Sequence, residues 1–413
     1  MHPMLKPALR RAWRDRQTVQ FGVAGAHAVV LGPVDTATGS FLTLLDGTRG
    51  LPLLRREAAA MGLPPGQVDE LVDRLGAAGL LEDATAADRP RAEPAQPRGS
   101  WDRLRPDLAS LSVVHPEPDA AARQLAARAG ARVQVRGLGR VGAAVAAVLS
   151  ASGVGQVDVR DGGCVEPWDA GPPGLPPESV GERRSLAAQR VVRAAAPVPP
   201  PRRRAAPGRA TVAAEPATAL VVLAPRDGLA AYAPDPDVTA ELIAAGTPHL
   251  YAGVIEGTGV VGPLVLPGES ACAGCLALER AEREPAWPRM LAQWRSGRGN
   301  SGALACDTSL ATVVAGLAAS HALTFLEGRV PASAGARLEF ALPDLAWEPR
   351  QVVPHPDCGC GAAPRTEVPE SAELAEPPEV PEVSELPEDS GGSEVGGLAA
   401  GNPPLERTEG TGQ

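Results

Sequence analysis

The sequence predicts an α/β fold built on a doubly wound sheet, and three observations predict it. A strand, a glycine-rich turn and a helix follow one another around Gly137-Leu138-Gly139-Arg140-Val141-Gly142. Strand and helix patterns then alternate over residues 133–254. Within that stretch, the continuous apolar run 220–224 reads as a strand covered on both faces.

Residues 133–136, Val-Gln-Val-Arg, form the first strand of this region, and residues 143–150 the helix after the turn. Gly137 permits the tight turn, Gly139 lets a phosphate approach the backbone, and Gly142 lets helix and strand pack closely. The helix N-terminus offers its free N–H groups to phosphate. Asp161 ends the second strand, 157–161, where a carboxylate accepts hydrogen bonds from ribose hydroxyls. A helix at 186–195, the strand at 220–224, a helix at 238–245 and a strand at 249–254 complete a Rossmann-like nucleotide fold.

Ahead of this body, residues 19–23 and 27–31 read as short strands joined by a glycine turn. Apolar stripes beginning at 41, 51 and 68 then read as three helices, ending in Gly79-Leu80-Leu81. The order suggests a winged-helix-like, peptide-binding module over residues 1–85; the plainer alternative is a helical cap on the next domain. Residues 86–100 form a linker of Ala, Pro, Arg and Asp, residues 101–362 the nucleotide-fold domain, and residues 363–413 a tail.

Charge separates tail from body. The net charge is −10. Residues 364–413 hold eleven Glu and one Asp against Arg365 and Arg407, so the tail carries the whole imbalance. Glu recurs every third residue from Glu367 to Glu388, with Pro between. That period fits a polyproline-like chain with nothing to bury, so disorder is expected there. The neutral body offers no basic face for nucleic acid. Lys6 is the only lysine, which removes lysine chemistry from the folded body. No run of 18 apolar residues predicts a membrane span. The basic N-terminus lacks an apolar signal core. With six cysteines, too few for a disulfide scaffold, the expectation is a cytoplasmic protein.

Four of the cysteines form two close pairs. Cys272-Ala273-Gly274-Cys275 is a C-x₂-C knuckle, and Cys358-Gly359-Cys360 follows some eighty residues later. Two thiolates from each predict a closed, tetrahedral structural zinc site. A redox C-x-x-C leaves the second pair unexplained; four buried free thiols are the bland alternative. His355 is a lesser candidate ligand. Cys164 is unpaired, and Cys306 precedes an apolar helix at 310–326, where a core role outweighs a nucleophilic one.

These residues resemble the ThiF/E1-like adenylyltransferases, which activate the C-terminal carboxylate of small proteins. The resemblance spans about residues 120–360 and rests on "RGLGRVG", "VDVRDGGCVEPWD", "VGERRSLAAQRV", "GPLVLPGESACAGCLALE", "LATVVAGLAASHALTFLEG" and "HPDCGC". It implies ATP binding by Gly137, Gly139, Gly142 and Asp161, and zinc on Cys272, Cys275, Cys358 and Cys360. It further implies Mg²⁺ and a peptide or small-protein substrate. Some groups depart from the pattern. The stretch from Asp161 to Leu175 lacks the arginine that reaches ATP phosphates, and Arg184 stands near the usual lysine. Asp227 is displaced from the magnesium-side aspartate. Adenylation needs positive charge on the leaving pyrophosphate and a metal beside it, so catalytic roles stay open, with Asp227, Arg184 and Cys306 as candidates.

The whole plan also resembles, more loosely, the E1-like partners of azole-forming pathways, in which an N-terminal module clamps a precursor's leader peptide and a separate cyclodehydratase performs the ATP chemistry. Active adenylyltransferase and peptide-binding scaffold are therefore the two leading readings. An NAD- or FAD-dependent oxidoreductase is a third, although it has no use for four zinc-type cysteines. A homodimer accords with the family, and neither nucleic acid nor membrane is expected as a partner.

Overall fold

The computed structural model describes residues 1–87, 102–197, 217–297 and 304–363. The linker at 86–100 and the tail at 363–413 lie almost wholly outside them.

The main body is organised by strands β6 (Arg132–Arg136), β7 (Gln156–Arg160), β8 (Leu220–Leu223), β9 (His249–Ile255), β10 (Thr258–Val265), β11 (Ala336–Ala341) and β12 (Trp347–Gln351). They form one seven-stranded sheet in the order β12-β11-β10-β9-β8-β6-β7. Strands β7, β6, β8 and β9 run parallel, as the alternating pattern predicts. β10, β11 and β12 continue the sheet antiparallel, so the sheet is mixed, not a parallel doubly wound sheet throughout. β9 and β10 are joined by a tight turn at Glu256 and Gly257, both at positive φ. Such a connection can only make an antiparallel pair, because a parallel one needs a crossover of a dozen or more residues.

Both faces of the sheet are covered. On one face lie α7 (Arg140–Ala151), α8 (Arg184–Ala195) and α13 (Thr308–Leu326). Leu220 and Val222 of β8 pack there with Val145, Leu149, Val314 and Ala318. Val221 and Leu223 point the other way, towards Leu242 of α10 (Pro236–Ala244) and Cys275 and Leu276 of α11 (Ala273–Arg283). Burial on both sides explains the unbroken apolar run in β8. Helix α13 has the length and composition of a membrane span. Here it is the central core helix, with Leu310, Ala311, Val314, Ala315, Ala318 and Ala319 buried.

The N-terminal region has its own core around Val19, Phe21, Leu31, Phe41, Leu54, Leu71 and Leu75. A three-stranded antiparallel sheet, β2 (Arg11–Trp13), β3 (Val19–Phe21) and β4 (Val29–Leu31), packs with α1 (Thr36–Phe41), α2 (Leu51–Ala60) and α3 (Gln67–Ala77). The expected second strand starts later, because residues Gly25–His27 form a 3-10 turn. The stripe read from residue 41 belongs to the end of α1, which Asp35 caps by accepting from Thr38 N. A second small sheet, β1 (Pro3–Leu5) against β5 (Leu81–Asp83), ties the start of the chain to the end of this region.

Lys6 joins this region to the next. Its side chain is fully buried, and Nζ donates to the carbonyls of Ser112, His115 (3.0 Å) and Pro116 (3.3 Å), with Glu82 at 3.9 Å. Burial pushes the Lys6 pKa down, opposed by the field of Glu82. Removing one member of such a buried set strands the others, so Lys6→Met is expected to cost about 3 kcal/mol. Urea denaturation of the two chains checks this.

Candidate functional site

The glycine turn is as tight as the motif requires. Gly137 sits at φ +89°, and a Cβ there would lie 2.1 Å from the carbonyl oxygen of Ala224. A Cβ on Gly142 would lie 1.9 Å from the carbonyl oxygen of Gly137. Both glycines therefore serve strand–helix packing in this chain, whatever binds above them.

Above the turn stand side chains of the chain itself. Asp161, at the end of β7, accepts from Leu138 N (2.9 Å), Gly163 N (2.8 Å) and Arg184 Nε (2.8 Å). Burial opposes its charge, but the bonds from Gly163, Leu138 and Arg184 outweigh it and hold the carboxyl below the usual range. Asp169 is buried and accepts from Arg226 Nε (2.7 Å), Glu166 N (2.9 Å) and Arg184 (3.2 Å). Desolvation pushes its pKa up despite the neighbouring arginines. Arg226 also pairs with Glu166 and lies 5.8 Å from the centre of the Trp168 ring. Its Cγ comes within 3.2 Å of where a Cβ on Gly139 would stand, so the arginine covers the second glycine. Arg140 reaches back to the carbonyls of Trp168 (2.6 Å) and Cys306 (2.7 Å). Two arginines and three carboxylates thus close into one network over the cradle.

The space left beside it is about 210 Å³, lined by Gly139, Arg140, Trp168, Arg226, Leu304 and Cys306 among others. Ligand pockets run to roughly 300–1,000 Å³. The expected ribose acceptor, Asp161, has both oxygens engaged, and the expected phosphate approach at Gly139 lies under Arg226. Asp227 is exposed and caps the short helix α9 (Gly228–Tyr232) through Leu229 N (3.0 Å). Cys306 lines the cavity with its thiol pushed up by burial, the opposite of an activated nucleophile. The residues present do not fit ATP with Mg²⁺. The arginines near the cradle come from elsewhere: Arg184 and Arg226 meet carboxylates, and Arg140 meets the carbonyls of Trp168 and Cys306.

The four cysteines do converge. Cys272 and Cys275 open α11, Cys358 and Cys360 follow β12, and the four sulfurs lie within 4.8 Å of one another. Individual separations are 3.9 Å for Cys272–Cys275 and 3.6 Å for both Cys272–Cys358 and Cys275–Cys360. Sulfurs held about 2.3 Å from a tetrahedral zinc stand about 3.8 Å apart, so the set fits one ion. Gly274 N donates to Cys272 Sγ (3.2 Å), and a Cβ on Gly274 would meet Cys358 Sγ at 2.9 Å, which explains the small residue between the ligands. The hydrogen bond from Cys272 draws the Cys275 thiol down and pushes that of Cys272 up. His355 belongs to a separate group, facing Glu282 at 2.9 Å.

A second cavity, about 230 Å³, opens in the N-terminal region. Leu31, Pro33 and Val34 form one wall, and Gln67, Leu71 and Arg74 of α3 the other. No strand pairs with the outer edge of β4 among the described residues.

A Rossmann-type sheet, a glycine turn and a four-cysteine cluster together define the class, and the ThiF family model matches residues 118–362. The chain belongs to the ThiF family. No curated protein matches the sequence. Among solved structures it is similar to Escherichia coli MccB with ATP, at 14% identity and TM-score 0.62, over 87% of this chain and 99% of that one. The same values hold for MccB with MccA-N7isoASN. The heterocyclase TruD is similar at 17% identity and TM-score 0.54, over 87% of this chain but 43% of that one. At such identities the likeness carries the fold alone.

Proposed function

We propose that this chain is a peptide-binding, E1-like scaffold of a peptide-modification pathway, with its own adenylation site closed. One observation carries the reading: Asp161, Asp169, Arg184 and Arg226 satisfy one another where a nucleotide would lie. In this reading residues 1–85 are a winged-helix-like clamp. A peptide adds a strand to β4 and sets an apolar side chain between Leu31, Val34 and Leu71, with Arg74 at the rim. Residues 101–362 are the scaffold, stiffened by structural zinc on Cys272, Cys275, Cys358 and Cys360. The partner that modifies the peptide is of the cyclodehydratase type, which the likeness to a solved heterocyclase supports, and the setting is cytoplasmic.

Active peptide adenylation is the second reading, and the full-length likeness to a protein solved with ATP favours it. Binding of fluorescent precursor-derived peptides tests the clamp. Arg74→Glu reverses the charge at the rim of the groove, outside the apolar core, and is expected to weaken binding about tenfold. Unchanged affinity would remove the groove from the account.

A further inference from the structure

The face of α3 that lines the N-terminal groove consists of Gln67, Glu70, Leu71 and Arg74. Their spacing is that of one helix face. Leu71 forms the apolar floor together with Leu31 and Val34, and all three are buried. Glu70 and Arg74 are opposite charges four residues apart, with the acid nearer the N-terminus, the order that favours an ion pair along a helix. No such pair forms. Among the described residues neither side chain makes a hydrogen bond or an ion pair. Asp69, the residue before Glu70, shows the contrast, since Arg55 Nη2 engages it at 2.8 Å. Arg74 is also half-buried. The groove therefore has an apolar floor and, on one wall, two free charges of opposite sign.

The spacing of these charges suits an extended chain. Glu70 and Arg74 stand about 6 Å apart along the helix axis, at 1.5 Å per residue. A strand advances about 6.6 Å over two residues, and its alternate residues share one face. A strand added to the free edge of β4 would turn that face to α3 and the apolar floor. With its middle residue over Leu71, the residue two positions to one side comes beside Arg74. The residue two positions to the other side comes beside Glu70. The intervening residues point away from the groove. Antiparallel pairing is the more stable kind, so one backbone direction is preferred and the charges are read against it.

We propose that the groove selects extended peptides by charge order: an apolar anchor, a basic residue two positions away on the Glu70 side, and an acidic residue two positions away on the Arg74 side. The inference rests on the reading of this groove as a peptide clamp, and it names the class of peptide and the residues that choose it. A peptide with the two charges exchanged brings like charges together at both ends. Such juxtapositions reject a partner, whereas complementary ones fix its register. A peptide held in one register and one direction presents the same end to whatever modifies it.

Selection of randomised short peptides displayed on phage against the full chain tests this. The enriched sequences are expected to share an apolar residue with a base two positions to one side and an acid two positions to the other, in one constant order. Synthetic copies with the two charges exchanged should bind about tenfold more weakly. The chain carrying both Glu70→Arg and Arg74→Glu keeps both charges and the apolar floor, and it should enrich the opposite order. The exchanged peptides test the rule on the wild-type chain even if that variant fails to fold. A diazirine in place of the anchor side chain locates the bound peptide independently. Adducts on residues 31–34 or 67–74 without a charge order, or with an order that the exchange does not invert, overturn the inference and leave the clamp standing. Adducts confined to other surfaces, or no enrichment at all, overturn both.

Discussion

If the four cysteines hold zinc as proposed, replacing Cys275 with serine is expected to abolish metal binding and lower the melting temperature by about 10 °C or more. Cys275 is buried at the first turn of α11, and its sulfur lies 3.6 Å from that of Cys360, 85 positions further along the chain. One ion on these sulfurs would tie α11 to the segment after β12, two pieces otherwise held by a modest apolar cluster around Val265, Leu276 and Val352 and by the polar contacts of Glu279 with Arg350 and of Glu282 with His355. A serine oxygen is a poorer, harder ligand for zinc than a thiolate, and the other sulfurs then repel one another without a shared cation. Metal analysis and thermal melts of wild type and variant check the expectation. Cys164→Ser is the control, because Cys164 is exposed and far from the cluster in its contacts. It should leave both readings unchanged.

The second large effect is expected at Asp161. Asp161→Ala removes the acceptor for two backbone N–H groups and for Arg184, whose side chain is only 11% exposed. A half-stranded buried arginine and two unpaired amides are expected to cost about 3–5 kcal/mol. The effect depends on pH with a definite sign. The folded-state pKa of Asp161 is depressed, so its contribution is present above the unfolded value of about 3.9 and is lost as pH falls through the lower folded value. The stability gap between wild type and variant should thus be full at neutral pH and narrow below about pH 4. Denaturant titrations at a series of pH values measure it. A gap that stayed constant into acid would show that Asp161 acts by packing and not by charge.

The parallel half of the sheet was legible because period and context agree there. A strand, three glycines and an apolar helix leave few alternatives between Val133 and Ala151. The four cysteines were legible because thiol pairs at such spacings have few uses outside metal binding. What sequence reading missed is mostly antiparallel or made of long-range charge pairs. β10 reads as an apolar run interrupted by Gly262 and Pro263, and β12 contains Pro349, so neither shows clean alternation. Strands β1 and β5 are three residues each and pair across more than seventy positions, with no local pattern to betray them. The closed network was hidden for a related reason. Asp169 ends a short 3-10 turn and Arg226 sits in a loop 57 positions on, where spacing carries no information about contact. Their residue types could be read, but their pairing could not.

The most direct test of the account is nucleotide binding by the intact protein. Calorimetry with ATP and Mg²⁺, alone and with a groove-binding peptide, and pyrophosphate exchange under the same conditions are the measurements. The account predicts no heat of ATP binding and no exchange with or without peptide, while the peptide itself binds. Saturable ATP binding accompanied by peptide-dependent exchange would contradict it, because the arginine–carboxylate network would then have to open for a substrate it is said to exclude.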